Sequence, residues 1–206
     1  MGTEKPWNLI GETVARKLGQ LQNNPLEPAV RAELAKLRKG LGKKPGELPE
    51  LWGSLFLDMP QQLEGRGQEA SPAEWAIYTA LTLYAMHQQG RSVKDDNMNR
   101  RGQSLGSAVA MLALHEKSSE EAIQRRYNAM ATAANINELV WHLKGIIQLL
   151  RQRGLPIDYV ELAGELYQYQ DLRRRTSVRL NWGRDFYRKI NEMKQKADKE
   201  EEENHE

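Results

Sequence analysis

The segment SPAEWAIYTALTLYAMH, residues 71–87, carries the strongest structural signal in the sequence. Ser71, Pro72 and Glu74 form a helix start, in which the serine caps the helix, the proline occupies the first turn and the glutamate completes a capping box. At about 100° per residue, the apolar residues that follow point in nearly all directions. The pattern predicts a helix that ends near His87 and is buried on most sides, at the centre of a bundle.

The composition of the 206-residue chain favours helices throughout. Leucine and alanine contribute 45 residues, whereas valine, isoleucine and threonine contribute 21, and unbranched side chains lose little rotamer freedom in a helix. The hydrophobic share of 39% and the charged share of 28% predict a thin core beneath a heavily charged surface. We therefore expect an all-α protein.

Outward from the central segment, apolar residues recur at the spacing of amphipathic helices. The predicted helices cover about residues 7–21, 28–39, 105–114, 120–133, 136–151, 158–169 and 180–196, with a short apolar piece at 51–57. Expected caps are Ser118 or Ser119, Asn135 or Asn137, and Asp158, and expected stops are Gly40 and Gly154. Eight or nine helices should form two small bundles, over residues 1–115 and 116–194, followed by a disordered acidic tail over residues 195–206.

Several classes of protein are excluded by what the sequence lacks. No apolar run approaches the roughly 20 residues that a membrane span needs, and residues 1–7 are polar where a signal peptide would be apolar. The chain has no cysteine, so disulfides, thiolate metal sites and cysteine nucleophiles are ruled out. We expect a soluble, cytoplasmic protein.

Motifs for catalysis and cofactor binding are also missing. The histidines have no metal-ligand spacing, and His142, at the edge of its apolar stripe, suits a bundle-edge histidine that bonds a neighbour. Leu37 stands where a phosphate loop ending at Gly42 and Lys43 would need glycine. No serine lies in a nucleophile elbow. The sequence predicts no metal, no cofactor and no enzymatic activity.

Basic residues are concentrated in the body of the chain. The formal net charge of +2 conceals an acidic end, because residues 190–206 hold three lysines and seven carboxylates, which leaves 27 basic and 21 acidic residues before them. Residues 31–44 contain six Lys or Arg and one Glu, and residues 173–189 contain seven and one Asp. Clusters of one sign attract polyanions.

The cations form ridges beside or opposite the apolar stripes of the predicted helices. The pairs are Arg31 and Arg38, with Lys39 on the far side, Lys144 and Arg151, and Arg184 and Arg188. With Tyr127, Trp141 and Tyr187 near them, they suit phosphates with occasional base stacking. A base-reading helix-turn-helix over residues 119–151 is disfavoured, because the start of its second helix carries no Lys or Arg.

Six segments in a fixed order carry a family resemblance. They are RAELAKLRKG (31–40), LTLYAMHQQG (81–90), SLGSAVAML (104–112), IQRRYNAM (123–130), LVWHLKGIIQLLRQRGLPIDYVELAGEL (139–166) and VRLNWGRDFYR (178–188). Over about residues 28–190 the chain resembles the CasB family, the small subunit of Cascade, which is the type I-E CRISPR surveillance complex. The resemblance implies a two-bundle helical protein without catalysis, because nicking and degradation fall to a separate helicase-nuclease.

The resemblance also implies partners and contact residues. The expected partners are CRISPR RNA, the opened target DNA of the R-loop, the large and backbone subunits of Cascade, and a second copy of this chain. Guide pairing supplies sequence recognition, so the small subunit needs only backbone contacts. The expected nucleic-acid-binding residues are Arg31, Arg38, Lys39, Lys94, Arg100, Arg101, Arg125, Arg126, Lys144, Arg151, Arg179, Arg184 and Arg188.

Two alternatives stay open. Arg126 lies within about 60° of Ile123 on its predicted helix, so its stem would also suit packing on the bundle while its head pairs with a carboxylate. A helical adaptor that docks on proteins by its apolar faces, with the basic ridges serving solubility, is a function of a different class. That adaptor would bind DNA no better than a generic protein of equal charge.

Overall fold

Helices make up the regular structure of the chain. The structure, a computed structural model, describes residues 5–115 and 120–203. Its α-helices are α1 (Pro6–Asn23), α2 (Glu27–Lys39), α3 (Trp52–Phe56), α4 (Pro72–His87), α5 (Leu105–His115), α6 (Glu120–Ala131), α7 (Ile136–Arg153), α8 (Tyr159–Gln170) and α9 (Leu172–Glu203), with 3₁₀ helices at Pro49–Leu51 and Gln61–Leu63. The predicted all-α class is confirmed. Each of the described helices is too short or too polar to cross a bilayer.

Helix α4 is the centre of the molecule, as its sequence predicts. The Ser71 side chain accepts a hydrogen bond from the backbone N–H of Glu74 at 3.0 Å, and the Glu74 carboxylate accepts one from the backbone N–H of Ser71 at 2.5 Å. Every residue from Ala76 to His87 is buried. Because no face of α4 reaches solvent, the other helices take their positions from it.

The helices pack in two groups around one continuous core. Helices α1, α2 and α8 surround α4, whereas α5, α6, α7 and α9 pack on one another, and contacts of α4 with α7 and of α8 with α9 join the groups. Buried side chains from both groups form a single cluster. Helix α8 therefore packs with the N-terminal helices, and α5 packs with the C-terminal ones. The pairs α1–α8 and α5–α9 each join a helix that begins before residue 115 to a helix that begins after it.

Helices α5 and α9 cross with their backbones very close to each other. A Cβ atom placed on Gly106 would lie 2.7 Å from the carbonyl oxygen of Trp182 and 3.0 Å from the backbone nitrogen of Phe186. Only glycine lets two backbones come so near without displacement. This contact fixes the first half of α9 against the rest of the fold.

The last helix differs from the sequence prediction at both ends. It begins at Leu172, directly after Asp171, whose carboxylate accepts a hydrogen bond from the backbone N–H of Arg173 at 3.0 Å. It continues to Glu203, whereas the sequence predicted a helix that ends near residue 196, and lysine, alanine and glutamate favour helix in the added segment. Residues 204–206 lie outside the described part of the chain, as do the predicted caps Ser118 and Ser119.

Candidate nucleic-acid interface

Two adjoining grooves cross one face of the molecule. The first lies between α2 and the α4–α5 loop, and Arg31, Leu34, Arg38 and residues 88–92 are among its lining. The second lies between the same loop and α7, and its lining includes residues 89–92 and Arg151. Because residues 89–92 belong to both, the grooves form one continuous surface.

A third groove, between α6 and α7, continues this surface. Its lining consists of Ala122, Arg125, Arg126, Ala129, Trp141, His142, Lys144, Gly145, Ile146 and Gln148. Gln148 also lines the second groove. We call the chain of cations along the three grooves the basic path; its members are Arg31, Arg38, Arg91, Arg151, Lys144, Arg125 and Arg126.

Helix α7 contributes the middle of the basic path. Trp141, Lys144, Gln148 and Arg151 recur at three- and four-residue spacing, so they share one side of the helix. The opposite side buries the apolar residues Leu139, Leu143, Ile146 and Leu150. The predicted ridge of Lys144 and Arg151 therefore faces outward, as the apolar stripe requires.

The orientation of α7 is set at its two ends. The side chain of Asn135 accepts a hydrogen bond from the backbone N–H of Glu138 at 3.0 Å, and Gly154 ends the helix with a left-handed φ of 63°. Asn135 and Gly154 are thus confirmed as cap and stop. Both signals are local, which explains why the sequence revealed them.

Helix α2 brings the first cations to the path. The hydroxyl group of Tyr78, on α4, donates a hydrogen bond to the carbonyl oxygen of Gly40 at 2.8 Å, which ties the end of α2 to the central helix. Leu34 is buried between Arg31 and Arg38, which lie one turn to either side of it. The burial of Leu34 therefore places both arginines along the same groove.

The α4–α5 loop is held by hydrogen bonds to buried groups. Gln88 is 1% exposed, and its side chain accepts a hydrogen bond from the backbone N–H of Met98 at 2.8 Å and donates one to the carbonyl oxygen of Asp96 at 2.9 Å. Arg91 donates to the carbonyl oxygen of Arg151 at 3.2 Å. The loop is thereby fastened to the end of α7, so the first two grooves stay adjacent.

Positive charge dominates the path. Within the described residues, Arg38, Arg126, Lys144 and Arg151 have no ion-pair partner. The remaining members pair with nearby carboxylates: Arg31 with Glu27, Arg91 with Asp96, and Arg125 with Glu121 at 3.5 Å. Pairs at a protein surface are weak and screened by salt. The path therefore carries a net positive charge that can attract polyanions, and four of its seven cations are unpaired among the described residues.

His87 lies buried beneath the path and adds no charge to it. Its Nδ1 atom is 3.0 Å from the hydroxyl oxygen of Tyr159, and the residue is 0% exposed. Burial, together with the positive charge of Arg91, lowers the pKa of His87 to about 3. The imidazole is therefore neutral near pH 7.

Several predicted contact residues lie away from the path. Lys39 pairs with Glu50 at 3.3 Å. Lys94 is exposed within the α4–α5 loop. Arg100 and Arg101 belong to the α4–α5 loop and pack beside the start of α8. The backbone N–H of Arg100 donates to the carbonyl oxygen of Ile157, and the Arg101 guanidinium is 3.7 Å from the Asp158 carboxylate. These side chains are accessible, but the three grooves do not include them.

The cations of α9 divide into exposed and inward-facing ones. Arg184 and Arg188 are exposed, and Arg188 pairs with Asp185 at 3.1 Å. Arg179 is half-buried and donates to the carbonyl oxygen of Ala133 at 3.3 Å and to the Tyr169 hydroxyl at 3.2 Å. The structure therefore uses Arg179 as an internal tie rather than as a free surface charge.

The structure also bears on one alternative that the sequence left open, and it adds one cation to the path. Arg126 is exposed, so it is not the packed residue of the alternative interpretation. Arg91 belongs to the path although it was not among the predicted contacts. No local motif marks Arg91, because its position depends on the packing of the loop against α7. His142 is half-buried with its Nε2 atom 3.8 Å from Glu138, at the bundle edge as predicted.

Comparisons with known proteins agree with this fold. The family model described as CRISPR-associated protein Cse2 matches residues 33–187. CasB from Thermobifida fusca is 34% identical, with a TM-score of 0.69, over 86% of this chain and 97% of that protein. No match was found among curated protein sequences.

More distant structures share the fold alone. CasB from M. ruber is 23% identical, with a TM-score of 0.66, over 90% of this chain and 97% of that one. A chain of a CRISPR RNA-guided surveillance complex is 21% identical, with a TM-score of 0.67, over 94% of this chain and 99% of that one. On the family match and the Thermobifida relative, the chain belongs to the Cse2 family of CRISPR-associated proteins, the CasB family that its sequence resembles.

Proposed function

We propose that this protein is a non-catalytic small subunit of a type I-E CRISPR RNA-guided surveillance complex, in which its basic path holds nucleic-acid backbone and stabilises the R-loop of target DNA. The observation that carries the proposal is the continuity of the path across three grooves on one face. A strand laid along that face would meet cations from α2, α6, α7 and the α4–α5 loop in succession. Such contacts neutralise phosphates without reading sequence.

The partners follow from this role. CRISPR RNA would supply sequence recognition by base pairing, and the large and backbone subunits, together with a second copy of this chain, would form the surrounding assembly. Lys94, Arg100, Arg101, Arg184 and Arg188 are accessible enough to serve as secondary phosphate contacts. Lys39 would first have to leave Glu50, whereas Arg179 serves the fold.

The test compares two triple variants in the assembled complex. Arg38, Arg126 and Lys144 are changed together to alanine, because none of them has an ion-pair partner within the described residues. The control changes Lys43, Lys44 and Arg66, which are exposed, off the path and equal in charge. Affinity for target DNA is measured across a salt series.

The path variant is expected to flatten the slope of log affinity against log salt by about 2, since each lost contact contributes roughly 0.7 on single strands and 0.9 on duplex. The control should keep the slope of the unaltered complex. Equal slopes in all three complexes would contradict the proposal.

The alternative of a helical adaptor draws on a different observation. Leu26, Trp52 and Leu57 are large apolar side chains that are 65%, 52% and 67% exposed and lie off the basic path. If these residues carried the function, changing them would block assembly with partner proteins. The path variant would then bind target DNA as the control does.

A further inference from the structure

Aromatic side chains near the basic path have different environments. Tyr127 is 4% exposed and its hydroxyl donates to the carbonyl oxygen of Trp182 at 3.2 Å. The Tyr187 ring is 55% exposed but lines none of the three grooves, and its hydroxyl accepts a hydrogen bond from the Gln124 side chain at 2.6 Å. Trp141 is 71% exposed and lines the α6–α7 groove. Of the three rings that the sequence indicated, Trp141 alone therefore lies open on the path.

The indole of Trp141 is supported from one direction. The ring of His142 lies 4.8 Å from it, centroid to centroid, at an interplanar angle of 79°. An exposure of 71% is too large for both indole faces to be covered. A planar ligand can therefore reach a face of the ring without moving a neighbouring side chain.

The surface beside Trp141 leaves room for such a ligand. Gly145 follows one turn later on the same side of α7, and a Cβ atom placed there would meet no atom within 4 Å. Ala122 and Ala129 contribute small side chains from α6. Small residues therefore line the groove next to the exposed ring and leave open space there.

The charges around this groove have one sign. Arg125, Arg126 and Lys144 line the groove, and no carboxylate is part of its lining in the described chain. An exposed aromatic ring surrounded by cations is the arrangement with which proteins bind single-stranded nucleic acid, since cations follow the backbone and the ring stacks on a base. A protein partner for this groove would need to present an acidic surface with a matching apolar centre.

We propose that Trp141 stacks on an unpaired base of a nucleic-acid single strand while Arg125, Arg126 and Lys144 contact the flanking phosphates. The inference rests on the proposed function and sharpens it, because it assigns the α6–α7 groove to single strands rather than to duplex. In a duplex each base face is already covered by its neighbours, so the indole gains nothing from it. Every base has a π-face, so the contact does not depend on sequence.

The experiment uses the full-length chain and two probes, a mixed-sequence single-stranded DNA and a duplex of equal length. Trp141→Ala is expected to lower affinity for the single strand about fivefold to 100-fold, with the salt slope unchanged because no charge is lost. Duplex affinity should stay the same. Trp141→Phe should keep most of the single-strand affinity, whereas Trp141→Leu, which is apolar but has no ring, should not.

Trp52→Ala is the matched control, because Trp52 is 52% exposed and lines none of the three grooves. Its affinity for both probes should equal that of the unaltered chain. An equal loss in the Trp52 and Trp141 variants would overturn the inference. The inference would also be overturned if the Trp141→Phe variant bound the single strand as weakly as the Trp141→Leu variant does.

The failure of this inference can be told apart from the failure of the proposed function. If the Arg125, Arg126 and Lys144 triple alanine variant loses affinity while Trp141→Ala does not, stacking is wrong and the backbone contacts stand. If neither variant changes affinity, or the unaltered chain binds neither probe, the α6–α7 groove is not a single-strand site, and the salt series with the assembled complex decides the proposed function by itself. If Trp141→Ala impairs assembly with protein subunits but not single-strand affinity, Trp141 belongs to a protein contact.

Discussion

Two sets of basic side chains in this protein have opposite environments. Arg175 and Arg179, on α9, point into the fold, where Arg175 donates to the carbonyl oxygens of Tyr169 at 3.0 Å and Ala134 at 2.8 Å. Both guanidinium groups also lie over the Tyr169 ring, at 4.9 and 5.5 Å. Arg126 and Lys144, in the α6–α7 groove, are exposed without an ion-pair partner in the described residues.

The difference lies in the acceptors nearby. The loop that follows α6 presents the carbonyl groups of Ala133 and Ala134, and Arg179 and Arg175 donate hydrogen bonds to them. Among the described residues Arg126 has no hydrogen-bond or ion-pair partner, so its charge remains on the exposed surface. Basic side chains of equal charge therefore bond within the fold in one region and remain on the exposed surface in the other.

His87 is a third case, a basic side chain that burial keeps neutral near pH 7. Its pKa of about 3 lies below the ordinary value of 6.5, so between these pH values the unfolded chain takes up a proton that the folded chain does not. The contribution of neutral His87 to the unfolding free energy is therefore fully present above about pH 6.5, and it is lost as the pH falls toward 3. From pH 7 to pH 5 we expect a loss of about 2 kcal/mol in unfolding free energy.

Chemical denaturation at a series of pH values measures this effect. The His87→Gln variant should lose most of the pH dependence, whatever its stability at pH 7. The matched His142→Gln variant, at the half-buried bundle edge, should keep it. A slope that persists unchanged in His87→Gln would show that another group is responsible.

The second prediction compares one arginine from each set. Arg179→Ala should lower the unfolding free energy by about 1–3 kcal/mol. The Tyr169 hydroxyl and the carbonyl oxygen of Ala133 both lose a charged donor, while Tyr169 still donates to Ala133 at 2.7 Å. Arg126→Ala should change the unfolding free energy by less than about 0.5 kcal/mol, as is usual for an exposed site. Thermal and denaturant melts of both variants test the contrast, and similar losses would remove the distinction between the two sets.

The smallest expected effect concerns the helix beneath the groove. Gly145 lies in the interior of α7 with open space around its Cα, so Gly145→Ala should raise the unfolding free energy by about 0.5–1 kcal/mol. Alanine is too small to fill the open space beside Trp141, so single-strand affinity should be retained. Gly106→Ala is the opposing control, since its Cβ would meet the α9 backbone and destabilise the protein.

Local signals in the sequence predicted much of the fold. The capping box at Ser71 and Glu74, the cap at Asn135 and the stop at Gly154 each involve atoms within a few residues, so residue types alone reveal them. The exchange of α5 and α8 between the two helix groups has no such signal. It depends on which apolar faces fit together across distant segments, as at Gly106 and Trp182.

The candidate site shows the same division. The helical period determined which side of α2 and α7 carries Arg31, Arg38, Lys144 and Arg151, because the apolar stripe of each helix must be buried. The composition predicted the all-α class, and six segments in a fixed order carried the resemblance to the CasB family.

Packing between distant segments determines which of these cations lie together. Arg31 and Arg151 are far apart in sequence, and they join one surface because the loop after α4 is fastened to the end of α7 by Arg91. The same packing turned Arg179 toward carbonyl acceptors and left Trp141 open. Side-chain type and period determine the direction of a residue on its helix, whereas its neighbours depend on contacts between distant segments.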